Sequence, residues 1–180
     1  TFLQSQDDLV DLTLSGFLPF FSAGFGKIIF HDDSLSRVNF RLEKLTLRTS
    51  PVYGTVYFKQ FLDLHLNSLK CVEIDDMDCW NFSSFLSRCT KLEEVKIGKK
   101  KPENIANFLP LRSVRKLTID GPIERKFLQN FPHLKFLKVS NLKTTKGSFK
   151  ENLGCDDLEV MEIEKSFLGG FFHIPKLRKL

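Results

Sequence analysis

The chain has 180 residues, 27 Lys and Arg against 22 Asp and Glu, and 42% hydrophobic residues, an ordinary globular composition for one domain. The formal net charge of +5 is modest and dictates no nucleic-acid partner. No run of about 18 apolar residues is present to form a membrane-spanning helix.

Residues 1–15 form a helix-to-strand unit. Phe2-Leu3 lies ahead of Leu9, Leu12 and Leu14, and the last two alternate with polar residues at strand spacing. The next stretch, 16–39, contains Gly16, Pro19, Gly24 and Gly26 and bends repeatedly. Its run Lys27-Ile28-Ile29-Phe30 is either a short strand or an apolar patch packed on the rest, and whether the stretch adds a repeat stays open. His31, Asp32 and Asp33 are adjacent and lack a suitably spaced fourth ligand, so a loop or a helix N-cap suits them better than a metal. The pattern returns at Leu42-Leu45-Leu47. A loop with Pro51 and Gly54 leads to a helical segment over 56–66, with Phe58, Phe61 and Leu62 inward, and then to Leu69-Val72-Ile74. Asp75, Asp76 and Asp78 are too irregularly spaced for a calcium loop. Trp80 anchors a loop before a short helix that carries Phe85, Leu86 and Cys89 on one face, and Leu92-Val95-Ile97 follows.

Lys99, Lys100 and Lys101 read as a solvated loop tip rather than a phosphate site. Residues 104–111 form a helical turn, Val114-Leu117-Ile119 a strand, and Gly121-Pro122 a turn. A helix over 127–131 ends at Pro132, and Leu134-Leu137-Val139 is the next strand. A polar loop over 143–147, a helix over 149–153 and the strand Leu158-Met161-Ile163 follow. Gly169-Gly170 gives slack before a partial last copy, Leu177-Leu180.

L-x-x-L-x-L thus occurs seven times, at intervals of 33, 27, 23, 22, 20 and 24 residues, with 19 more to the partial eighth. Phe-Leu pairs at Phe2, Phe61, Phe85, Phe108, Phe127 and Phe167 recur between the copies, which gives many of the 19 phenylalanines a place in the core. The series resembles the leucine-rich repeat family, whose period is roughly 20–29 residues. The resemblance implies one α/β leucine-rich repeat solenoid (a horseshoe) over 1–180, with a parallel β-sheet on the concave side and short helices or turns on the convex side. Both ends fall inside a repeat, so the chain is expected to be part of a longer protein.

Cys89 and Cys155 hold equivalent positions three repeats apart. Strands about 4.8 Å apart place them roughly 14 Å from each other, beyond disulfide reach. Cys71 is expected on the concave side and Cys79 in a loop. No cysteine cluster closes either end, so reduced thiols and an intracellular location are expected. The sequon Asn81-Phe82-Ser83 is of the kind that arises by chance.

No phosphate-binding glycine loop, nucleophile elbow or paired Cys-x-x-Cys is present, so neither an enzyme nor a bound cofactor or metal is expected. The working surface is the concave sheet. Its first column reads Thr13, Thr46, Glu73, Lys96, Thr118, Lys138, Glu162, and the next Ser15, Arg48, Asp75, Gly98, Asp120, Ser140, Glu164. Arg48, Glu73, Asp75, Lys96, Thr118, Lys138 and Glu162 are the candidate partner-binding residues. The signs alternate, whereas a nucleic-acid groove needs a continuous basic stripe. Either Glu73 with Lys96 and Lys138 with Glu162 neutralise one another, or the mixed face reads a folded protein or a peptide.

Cys89-x-x-Leu92-x-x-Val95-x-Ile97 and Cys155-x-x-Leu158-x-x-Met161-x-Ile163 resemble the cysteine-containing repeats of F-box proteins. The opening Phe2-Leu3-x-x-Gln6-x-x-Leu9-x-x-Leu12-x-Leu14 and the segment Phe40-x-Leu42-x-x-Leu45-x-Leu47 resemble F-box proteins abundant in arthropods. That resemblance implies a substrate receptor of a cullin-RING ubiquitin ligase. The repeats would hold a protein substrate, and the Skp1 adaptor would bind through an F-box that these residues do not include. The other reading is an intracellular leucine-rich repeat scaffold with no ubiquitin role.

Overall fold

The computed structural model describes residues 9–14, 40–48, 56–75, 80–98, 109–143, 155–163 and 176–179. Seven strands form one parallel sheet in chain order: β1 (Asp11–Leu14), β2 (Lys44–Leu47), β3 (Cys71–Ile74), β4 (Glu94–Ile97), β5 (Lys116–Glu124), β6 (Phe136–Lys143) and β7 (Val160–Ile163). Successive strands can be parallel because the segments joining them are long enough to cross back, as a hairpin is not. Among the described residues, three short helices lie in those segments: α1 (Val56–Leu64), α2 (Trp80–Leu86) and α3 (Arg125–Leu128). The architecture is a solenoid-like stack of similar units, each packed on its neighbours in sequence.

The register is constant. Leu12, Leu45, Val72, Val95, Leu117, Leu137 and Met161 align across the sheet, as do Leu14, Leu47, Ile74, Ile97, Ile119, Val139 and Ile163. The partial eighth copy joins too, through a parallel bridge between Val160 and Lys179. A one-residue slip would turn every apolar side chain out to the other face, so the L-x-x-L-x-L spacing itself fixes the alignment.

A backbone ladder locks each strand's entry. The carbonyl of Glu43 accepts the N–H groups of both Lys70 (2.8 Å) and Cys71 (3.0 Å). The carbonyl of Lys70 does the same for Glu93 and Glu94, Glu93 for Arg115 and Lys116, Arg115 for Lys135 and Phe136, and Lys135 for Glu159 and Val160.

One core runs the length of the stack. It contains the aligned aliphatic residues of β2 to β6 and Met161, with Leu12 and Ile163 packed against them, together with Phe40, Phe61, Phe85, Phe127 and Phe131 from the other side. Each fully buried Leu, Ile, Val or Phe contributes roughly 1.5–3 kcal/mol of transfer free energy. The expected inward face of the α2 unit holds: Phe85, Leu86 and Cys89 are all buried. The Phe-Leu pairs at 61, 85 and 127 are buried, whereas Leu109 is 45% exposed and does not repeat that packing.

A recurrent turn joins each back segment to the next strand. The N–H of Cys89 donates to Leu86 O (3.1 Å), and Cys89 O accepts from Leu92 N (3.4 Å). Phe131 makes the same two bonds with Leu128 and Leu134, and His65 makes them with Leu62 and Leu69. Cys155 O accepts from Leu158 N (3.1 Å). His65, Cys89, Phe131 and Cys155 therefore occupy one structural position, with His65 one residue further ahead of its strand than the others.

Several local expectations are corrected. Gly121-Pro122 is not a turn. It lies inside β5, where the pairing with β6 shifts between Ile119 and Pro122 and then resumes at Pro122 with Asn141. An irregular step of this kind accommodates a residue with no N–H to donate. Lys143 is the last residue of β6 rather than the start of a loop. Trp80 opens α2 rather than lying in a loop before it. α1 stops at Leu64, two residues short of the expected end, and 65–68 is a turn. Residues 109–111 are irregular, not helical, and the helix of 127–131 is the shorter α3 followed by a turn. Ser83 of the glycosylation sequon is buried. Expectations about 1–8, 15–39, 49–55, 76–79, 99–108, 144–154, 164–175 and 180 lie outside the described residues, Ser15, Cys79, Glu164, Gly169-Gly170 and Leu180 among them.

Candidate functional site

Strand alternation divides the sheet into a core face and an open face. Thr13, Thr46, Glu73, Lys96, Thr118, Lys138 and Glu162 occupy one register row on the open face, as their spacing predicts. Five of the seven candidate residues are therefore brought into a single line. Arg48 and Asp75 lie just beyond the ends of β2 and β3, where the Asp75 N–H donates to Leu47 O at 2.7 Å. Thr46 differs from the rest of its row in being 2% exposed, which withdraws its hydroxyl from any partner.

Charge on this face is largely answered by charge on the neighbouring strand. Lys96 Nζ lies 4.0 Å from Glu73 Oε2 and 3.7 Å from Glu94 Oε1. Lys138 Nζ lies 3.9 Å from Glu162 Oε2. These are loose, partly exposed pairs, each worth about 0–1 kcal/mol. They set the pattern of the surface more than the stability of the fold.

A second row on the same face was missed. Asp11, Lys44, Cys71, Glu94, Lys116, Phe136 and Val160 align two residues before the first row. The signal was available: the second x of each L-x-x-L has the same strand parity as the x before the last core residue. Within this row Lys44 Nζ donates to Asp11 Oδ2 at 2.8 Å, and that bond raises the lysine's pKa. Lys116 Nζ lies 3.1 Å from Glu94 Oε1 and 5.4 Å from the centre of the Phe136 ring, so one ammonium joins a carboxylate and an aromatic face. Cys71 sits half-buried between Lys44 and Glu94, and burial, followed by the charge of Glu94, raises its thiol pKa.

A third line runs along the strand entries. Glu43 and Lys70 pair at 2.7 Å, and Lys135 and Glu159 at 3.4 Å. At the turns behind it, Arg88 pairs with Asp63 at 2.8 Å. Asp157 takes Lys176 on one oxygen (2.6 Å) and His133 Nδ1 on the other (3.2 Å), and its pKa is lowered chiefly by the Lys176 bond.

Among the described residues no group of three or more His, Cys, Asp or Glu is placed to hold a metal ion. Among them, too, no helix is long and apolar enough to cross a membrane. Cys89 and Cys155 are buried, and that burial pushes both thiols up to about 12. Their sulfurs donate to carbonyls: Cys89 to Phe85 (3.5 Å), Cys155 to Leu128 (3.6 Å) and Phe131 (3.8 Å). They are packing groups at the recurrent turn, where their size and weak donor suit the space. Comparisons with known protein families, curated proteins and solved structures find no match.

Proposed function

We propose that the chain is a leucine-rich repeat domain that binds a protein partner on the open face of its sheet. The observation that carries this reading is the polar row from Thr13 to Glu162, accessible except at Thr46, held in register by seven strands and carrying both signs of charge. An array of alternating charges, paired across neighbouring strands, is poorly suited to a polyanion, which needs a continuous positive stripe. It suits a protein surface whose own charges can exchange with Glu73, Lys96, Lys138 and Glu162, since such patterns select partners and orientation. The Phe136 ring beside Val160 adds an apolar contact within the same face. No covalent chemistry is assigned to this surface.

The more specific form of the proposal is substrate recognition within a Skp1-cullin-F-box ubiquitin ligase. The repeats carrying Cys89 and Cys155 support it by their resemblance to those of F-box proteins. Affinity capture with the whole natural protein, with and without Lys96→Glu and Lys138→Glu together, tests both levels. Partners lost from the double variant support the open face as the binding surface. Skp1 retained by both forms supports the ligase reading. Partners on the open face without Skp1 leave a scaffold, and an unchanged partner set overturns the site.

A further inference from the structure

His65 is a buried, polar member of the recurrent turn position that cysteine and phenylalanine fill in other repeats. It is 1% exposed. Its ring stacks on Phe40 (centroids 5.3 Å apart, planes 17° from parallel) and meets Phe61 edge-on at 4.9 Å. Nδ1 accepts the Leu42 N–H at 3.4 Å, a bond reaching 23 residues back to the segment that enters β2. The other polar group of Leu42 is held from the same turn, since Ser68 Oγ donates to Leu42 O at 2.7 Å. One turn thus grips both backbone groups of one residue in the preceding repeat.

Accepting at Nδ1 requires the neutral ring with its proton on Nε2. That Nε2 is buried and, among the described residues, has no hydrogen-bond partner. A second proton would have to go on Nδ1, against the Leu42 N–H, and would leave a cation between two phenyl rings. Among the described residues, the charged side chains on the packed segments offer no compensation. Glu43 pairs with Lys70 and Asp63 with Arg88, while Arg41 is exposed at the surface. Burial alone lowers the His65 pKa, to about 4.

We infer that His65 is an acid-operated latch: protonating its imidazole releases β2 and the residues leading into it from the turn after α1, and so parts the open face between Thr46 and Glu73. The sign follows from linkage. The released ring takes a proton near 6.5 and the latched ring does so only near 4, so acid favours release. Between pH 7 and pH 5 the released fraction should rise roughly 20-fold on these values.

The test is amide hydrogen exchange by NMR on the whole chain, expressed as protection factors so that the intrinsic pH dependence of exchange is removed. Wild type should lose about 20-fold protection at β2 and β3 amides from pH 7 to pH 5 while β5 and β6 keep theirs. His65→Asn, whose amide oxygen can accept from Leu42 but cannot titrate, should lose that pH dependence. Equal loss over all strands, or an unaltered response in His65→Asn, overturns the latch. If the variant does not fold, the wild-type ring decides. A neutral Nε2–H tautomer that titrates below pH 5 supports the latch, and a midpoint near 6.5 or an Nδ1–H tautomer overturns it.

Discussion

The carboxylate of Asp75 fills the space that a side chain at Gly98 would need. The two residues follow β3 and β4 on adjacent strands, and a Cβ at 98 would lie 2.9 Å from Asp75 Cγ and 3.1 Å from its Cα. The Gly98 N–H is meanwhile fixed to Ile74 O at 2.7 Å, so the backbone has little room to yield. Gly98→Ala should destabilise the fold by about 1–3 kcal/mol, and Asp75→Ala in the same chain should restore most of it. Urea midpoints of the two single variants and the double variant measure this. Additive effects would show that the contact is not the cause.

Thiol reactivity should separate the described cysteines into two classes. Cys71 lies half-buried on the open face, whereas Cys89 and Cys155 are buried, hydrogen-bonded and held protonated. Native labelling with a thiolate-selective reagent, mapped by mass spectrometry, should modify Cys71 at least about 100-fold faster than the other two. All should react alike in denaturant. Fast native labelling of Cys89 would contradict its placement in the turn.

Leu117 is fully buried at the centre of the sheet, aligned with Val95 and Leu137. Leu117→Ala should cost about 2–5 kcal/mol, measured by chemical denaturation. Thr118→Ala, one residue on and pointing the other way, should cost less than about 1 kcal/mol. Reversal of the two would mean that the strand register is shifted by one.

Lys96→Glu and Glu73→Lys should each leave stability within about 1 kcal/mol of wild type, because the ion pairs they disturb are long and partly exposed. Their effect should appear in partner capture instead. A large loss of thermal stability with no loss of partner would assign these residues to the fold rather than to recognition.

Acid should weaken the repeats that His65 joins. A histidine whose folded pKa lies below its unfolded one contributes stability that is complete above pH 6.5 and is lost as the pH falls towards 4. From 6.5 to about 4 the full effect is about 3 kcal/mol. Denaturation midpoints followed at β2 and β3 amides from pH 8 to pH 4, compared between wild type and His65→Asn, isolate this contribution from that of the carboxylates.

The seven strands and their common register were legible because every core copy carries the same apolar spacing, and only one alignment buries all of them. The open-face row through Glu73 and Lys96 followed from the same parity. The role of His65 was not legible. A lone histidine has no periodic signature, and counting three residues back from Leu69, as for Cys89 and Cys155, lands on Leu66. Only the backbone bonds of the turn reveal the extra residue. The continuation of β5 through Pro122 was hidden for a related reason, since Gly-Pro ordinarily ends a strand and only pairing with β6 carries it on.

The first core positions of β1 and β2 are 33 residues apart and those of β4 and β5 only 22, yet both pairs align residue for residue. Connector length is thus decoupled from the geometry of the sheet, and loop closure grows only slowly more costly with length. The connectors are therefore where such a protein can accept new material. A tag, a reporter or an additional recognition loop placed there would ride on the stack without disturbing its spacing, while a single residue added within a strand would turn its apolar side chains to the wrong face.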